Sequence, residues 1–177
     1  METTYGEQTI VLPVQYPLIL LSVALLCFEC WFIGMFISNY ARHTTFTKEF
    51  MAQFNDMHRE ATGKDQTGDS GGFPDCGDGR YAEKLGYAEW HRYCSFFRAH
   101  NNFVEQLPVI VTILVFSGLF LPKTTMWIGF INVISRGVYT FSYIYKGPNW
   151  RFVGALANLC TYLLVIVALG FAVAKAF

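Results

Sequence analysis

The chain has 177 residues, of which 53% are hydrophobic, 18% aromatic and only 15% charged. Soluble domains carry about 25% charged residues, so this balance points to a multi-pass membrane protein; one long polar connection holds the mean hydropathy to +0.32. A formal net charge of zero leaves no global field to attract nucleic acid.

Taken in chain order, four stretches are long and apolar enough to read as spanning helices, which need about 20 mostly apolar residues. The first covers about 16–39 and follows Pro13 and Pro17, which suit a helix start. The second covers about 87–120, beginning amphipathically and becoming fully apolar from Val109. The third and fourth cover about 125–145 and 150–174, divided by Gly147-Pro148. Short second and third connections require antiparallel neighbours. The reading is an all-α, integral membrane four-helix bundle forming a single domain.

The first connection, 42–86, is long and polar. Its opening, FTKEFMAQFNDMHRE, places Phe46, Phe50 and Phe54 on one helical face. A Gly- and Asp-rich stretch follows, with little core-forming content. Most Lys and Arg residues fall in this connection and around the third, which places both on the cytosolic or matrix-like side. The N-terminal stretch METTYGEQTIVLPVQ has no Lys or Arg and reads as neither signal nor transit peptide.

Several motifs reduce to ordinary readings. Gly68 to Gly72 spell GDSGG, but the protease fold that uses that string needs β-barrels and partner residues missing here. Asp65, Asp69, Asp75 and Asp78 do not keep a calcium-loop register, so a solvated turn is expected and no metal site. Cys27 and Cys30 form a C-x-x-C inside an apolar helix, where buried thiols are expected. Glu29, deep in the first span, either stabilises the bundle through an interhelical bond or serves as a relay or ligand contact.

Two polar stripes carry the functional reading. On the second helix, Arg98, Asn102 and Glu105 follow at i, i+4 and i+7 and share a face. Arg offers a rigid donor fork for carboxylates and Glu accepts from an ammonium, so the stripe suits a small zwitterion with several carboxylates. An intrabundle Arg–Glu pair is the structural alternative. On the third helix, Asn132, Arg136, Tyr139 and Tyr143 share another face, and Arg151 follows just before the fourth apolar run. The topology brings Arg98, Tyr143 and Arg151 to one membrane depth.

At these residues the chain resembles the membrane-associated proteins in eicosanoid and glutathione metabolism (MAPEG). Residues 98–108, RAHNNFVEQLP, resemble that family's R-A-x-x-N-x-x-E-x-x-P. Residues 136–151, RGVYTFSYIYKGPNWR, are similar to the pattern of its type 3 microsomal glutathione transferase branch. The resemblance implies a homotrimer with glutathione held between protomers. It implies that Arg98, His100, Asn102, Glu105, Arg136, Tyr139 and Tyr143 bind the tripeptide and that Arg151 faces its sulfur. The activity implied is transfer of glutathione to a lipophilic substrate arriving through membrane lipid of the endoplasmic reticulum or mitochondrion, with peroxidase activity as a variant. Three departures stand out. Gln106 replaces an aromatic, the first connection is enlarged, and Arg42 is the nearest match to the first-helix basic residues. The enlarged connection and Gln106 favour the alternative, a non-catalytic accessory subunit of a larger membrane assembly.

Overall fold

The computed structural model of the protein describes residues 12–64 and 71–176, and every regular element among them is helical. Helix α1 runs Tyr16–Thr45 without interruption, though its turn over Ile33–Ser38 widens to π geometry. Pro17 is harmless there, because an N–H in the first turn has no intrahelical partner. Two short helices follow, α2 (Lys48–Met51) and α3 (Asn55–Thr62). The long elements are then α4 (Tyr87–Phe120), α5 (Pro122–Lys146) and α6 (Phe152–Ala176).

Leu121 alone separates α4 from α5, so the two must fold back on each other. Helix α5 ends at Gly147, whose φ of 84° lies in the region that only glycine enters freely. A 3-10 turn, Pro148–Arg151, then leads into α6. Within the four-helix bundle α5 packs against α1, α4 and α6. Three of the runs, Tyr16–Thr45, Tyr87–Phe120 and Pro148–Lys175, are long and apolar enough to cross a membrane. Helix α5 is less apolar because Thr125, Asn132, Arg136 and Thr140 are buried in the bundle.

The main core joins Tyr16, Ile19, Leu26, Cys30 and Ile33 of α1 to Phe103, Ile110 and Leu114 of α4. Beside it, α5 reaches α1 through a close approach at Gly129, where an added Cβ would overlap the side chain of Ser22. Both contact atoms belong to helix faces that cannot retreat without losing neighbours. Gly129→Val is expected to destabilise by about 1–3 kcal/mol through overpacking. Thermal unfolding in detergent checks this; an unchanged midpoint would mean that the helices do not approach there.

Helix α4 has 34 residues, a length of about 51 Å, against an apolar bilayer thickness of about 30 Å. Its first turns carry a cap built from the first connection. Phe46, Met51, Phe54, Ala82 and Tyr93 form a second core there. Phe46, Phe50 and Phe54 stack in sequence with ring centroids 5.9 and 5.8 Å apart, and Phe46 meets Tyr93 edge-on at 5.0 Å. Thr47 caps α2 by accepting the Phe50 N–H at 3.3 Å. Hydrogen bonds to its own backbone N–H and to Thr47 hold the Glu49 carboxyl below the usual carboxylate range.

The described part of the Gly- and Asp-rich stretch departs from the solvated turn expected of it. Asp75 is only 5% exposed. Its Oδ1 accepts from the N–H groups of Gly77 and Gly79 at 2.7 and 3.1 Å. Its Oδ2 accepts from Tyr81 and Ala82 at 2.9 and 2.8 Å. The Asp75 carbonyl in turn accepts from the Tyr93 hydroxyl at 3.1 Å, which ties the turn to α4. Asp65, Asp69 and the first three residues of the GDSGG string lie outside the described residues. Arg42 is buried in the same cap, stacked 3.9 Å over Phe73, with a guanidinium N–H directed at the Gly71 carbonyl 3.4 Å away.

Candidate functional site

The residues singled out from the sequence divide into an interior set and a surface set. Arg136 belongs to the interior, 1% exposed at the middle of the bundle. Its Nη1 donates to Asn102 Oδ1 of α4 at 3.1 Å and its Nη2 donates to Asn158 Oδ1 of α6 at 3.0 Å. The guanidinium also lies 5.1 Å from the Phe103 ring centroid. Burial of a charge this complete demands partners, and α4 and α6 supply them. Asn102 is thus turned inward and held, rather than presented at the surface with its neighbours on the stripe.

Tyr139 is buried one turn beyond Arg136 and packs on Gly154 of α6, where an added Cβ would lie 2.6 Å from its ring. His100 fills the gap between α4 and α1. Its ring lies 2.6 Å from where a Gly34 Cβ would be, and it hydrogen-bonds the Cys30 carbonyl. Gly34 belongs to the π turn of α1, so the widened turn and the inserted imidazole coincide.

The surface set is Arg98, Glu105, Tyr143 and Arg151. Arg98, Glu105 and Arg151 are exposed, and Tyr143 is half-buried with its ring 5.7 Å from that of Tyr139. Arg98, Arg136, Tyr143 and Arg151 all act electrostatically on Tyr139. They come from α4, α5 and the turn before α6 and gather around Tyr139. Among the described residues neither Arg98 nor Arg151 has a hydrogen-bond or ion-pair partner. Lys146 is differently placed, its ammonium lying 4.2 Å over the Trp150 ring. The profile of the MAPEG family matches residues 16–171.

The chain belongs to the MAPEG family. No solved structure matches it. The match reaches all four long helices and takes in the cap, so the first connection sits within a MAPEG framework. Membership accords with glutathione-related chemistry in a membrane. What this MAPEG protein offers such chemistry is two exposed guanidinium groups, of Arg98 and Arg151, without a hydrogen-bond or ion-pair partner among the described residues.

Sequence reasoning undervalued Gln106. Its Oε1 accepts from the Tyr162 hydroxyl at 2.6 Å and lies 3.5 Å from Asn158 Nδ2. Asn132 Nδ2 likewise donates to Thr161 Oγ1 at 2.7 Å. Gln106 is therefore part of an interhelical network that continues through Asn158 to Arg136. A signal for it existed. Asn158, Thr161 and Tyr162 stand at i, i+3 and i+4 in an otherwise apolar run, and polar residues spaced so on a spanning helix mark its bundle-facing side.

Proposed function

We propose that this protein binds glutathione at the rim formed by Arg98, Glu105, Tyr143 and Arg151 and transfers it to lipophilic electrophiles. The observation that carries the reading is the convergence of Arg98 and Arg151. They come from separate elements, both are exposed, and both lack an internal partner. An Arg without a resident anion is available to a carboxylate or thiolate, whereas Arg136 is already committed to Asn102 and Asn158. Glu105 supplies the acceptor that a ligand ammonium needs. All four spans cross the bilayer in this reading, and three copies assemble so that a neighbouring chain closes each rim.

The chemistry follows from charge. A free thiol titrates near about pH 8.5 and is mostly protonated at neutral pH. A guanidinium beside the sulfur favours the thiolate, the attacking form. In the transfer, a sulfur–carbon bond forms as the thiolate attacks the electrophilic carbon. The carbon–leaving-group bond breaks and its electron pair departs with the leaving group, which takes a proton from solvent. For an epoxide the leaving atom is the ring oxygen, retained in the product as a hydroxyl.

The non-catalytic alternative, an accessory subunit, draws on Asn102 and Gln106. Both point into interhelical bonds, so the ligand loses one amide contact. Calorimetric titration of the purified protein with glutathione decides between them. Saturable binding at millimolar glutathione, weakened by Arg98→Ala, is expected. Absence of saturation would overturn the glutathione reading and leave the accessory role.

A further inference from the structure

Glu29 takes no part in the rim, yet its surroundings are built for it. Its Oε1 lies 3.1 Å from where a Cβ on Gly137 would be, so the carboxylate of α1 rests on the backbone of α5. A side chain at 137 would push it out. The preceding residue is Arg136, the charged group that acts on Glu29. Arg136 commits Nη1 and Nη2 to Asn102 and Asn158. Its Nε is buried with no acceptor among the described residues, and Glu29 Oε2 is equally buried with no donor. The Thr140 hydroxyl, one turn along α5 from Arg136, is in the same condition.

A buried donor and a buried acceptor of opposite charge, each without a partner among the described residues, are costly in an apolar bundle. Gly137 fixes one of them and two asparagines fix the other, so neither can swing toward the other without losing contacts. One water between the two groups would resolve this, accepting from Arg136 Nε and donating to Glu29 Oε2. Buried waters typically make about three such bonds, and a bridging water serves nearly as well as a direct contact.

We propose that ionised Glu29 and Arg136 form a water-bridged ion pair inside the bundle, and that this pair fixes the guanidinium that holds Asn102. Glu29 is then a positioning residue for the α4 wall that bears Arg98 and Glu105. The second half rests on the glutathione reading; the pair itself does not.

Two measurements test the pair in the purified full-length protein. Infrared difference spectra of wild type minus Glu29→Gln should show loss of an ionised carboxylate band. Loss of a protonated carboxyl band instead overturns the proposal. A stability cycle of Glu29→Leu, Arg136→Met and the double variant should be strongly non-additive, with the double variant losing less than the singles sum to, because each single strands a buried charge. Additivity overturns it. Where a single variant fails to fold, recovery of folding in the double variant supports the pair as non-additivity does, and its failure to recover counts against the pair. For the positioning role, Glu29→Gln should raise KM for glutathione several-fold with kcat unchanged, and Glu29→Asp should recover part of it. An unchanged KM removes the positioning role. A wild type that binds no glutathione sinks the functional reading, while the infrared and cycle results still decide whether the pair exists.

Discussion

Replacing Arg151 with alanine is expected to leave glutathione bound within a few-fold while abolishing its thiolate absorbance at neutral pH. Catalytic efficiency, kcat/KM, should fall about 10²–10³-fold, the usual loss when one donor to a developing or fixed anion is removed from a water-poor site. The tripeptide retains Arg98 and Glu105, on α4 and away from the 3-10 turn that carries Arg151, so affinity and ionisation separate. The pH dependence has a definite sign. Arg151 favours the thiolate and so lowers the thiol's pKa in the complex; without it, the thiol returns toward about 8.5. Activity of the variant should therefore climb as pH rises through that value, while the wild type is already near its plateau at lower pH. Arg151→Lys should fall between them, because an ammonium keeps the charge but not the planar donor fork. Unchanged thiolate absorbance in the alanine variant would remove Arg151 from the chemistry. Arg98 would then be the next guanidinium to test.

Some of this architecture was readable in the chain because it depends on near neighbours. Asn132, Arg136 and Tyr139 repeat at helical spacing, and all three are buried on one face of α5. Phe46, Phe50 and Phe54 repeat likewise and stack as their spacing requires. Other features depend on which helices become neighbours, and spacing along one helix carries no such information. Glu29 rests on Gly137, the residue after Arg136, only because α1 packs on α5, and Gln106 finds Tyr162 across 56 residues of sequence. Taken alone, Gln106 looks like a missing ligand contact; in the fold it is an acceptor shared by two side chains of α6. The helix of α1 outruns its apolar stretch for a different reason. Hydropathy falls at Asn39, but nothing between there and Thr45 breaks a helix, and the backbone runs on to bring buried Arg42 into the cap. Glycines and aspartates read as solvated loop on composition, and that reading cannot anticipate a carboxylate that organises its own turn.

That carboxylate makes the cap testable independently of the bundle. Asp75→Ala is expected to unfold the cap and leave the long helices standing. Four backbone N–H groups, of Gly77, Gly79, Tyr81 and Ala82, converge on the two oxygens of Asp75. Each such bond to a charged acceptor contributes about 1.5–3 kcal/mol, and donors left buried without one cost a similar amount. Water entering the opened turn would recover part of this, so the net loss should be on the order of 3–5 kcal/mol. Asp75→Asn should be intermediate. Its amide oxygen can serve one pair of donors, but its NH₂ then faces the other pair, and donors opposed to donors repel. Because the Asp75 carbonyl also holds the Tyr93 hydroxyl, the damage should travel into the second core of Phe46, Met51 and Phe54. Hydrogen exchange reads this directly. Amides of 77–82 and of α2 should lose protection in both variants, more in alanine, while those of 103–118 in α4 keep theirs. Protection at 77–82 that survives Asp75→Ala would show that the aromatic core alone holds the cap and that the carboxylate is dispensable.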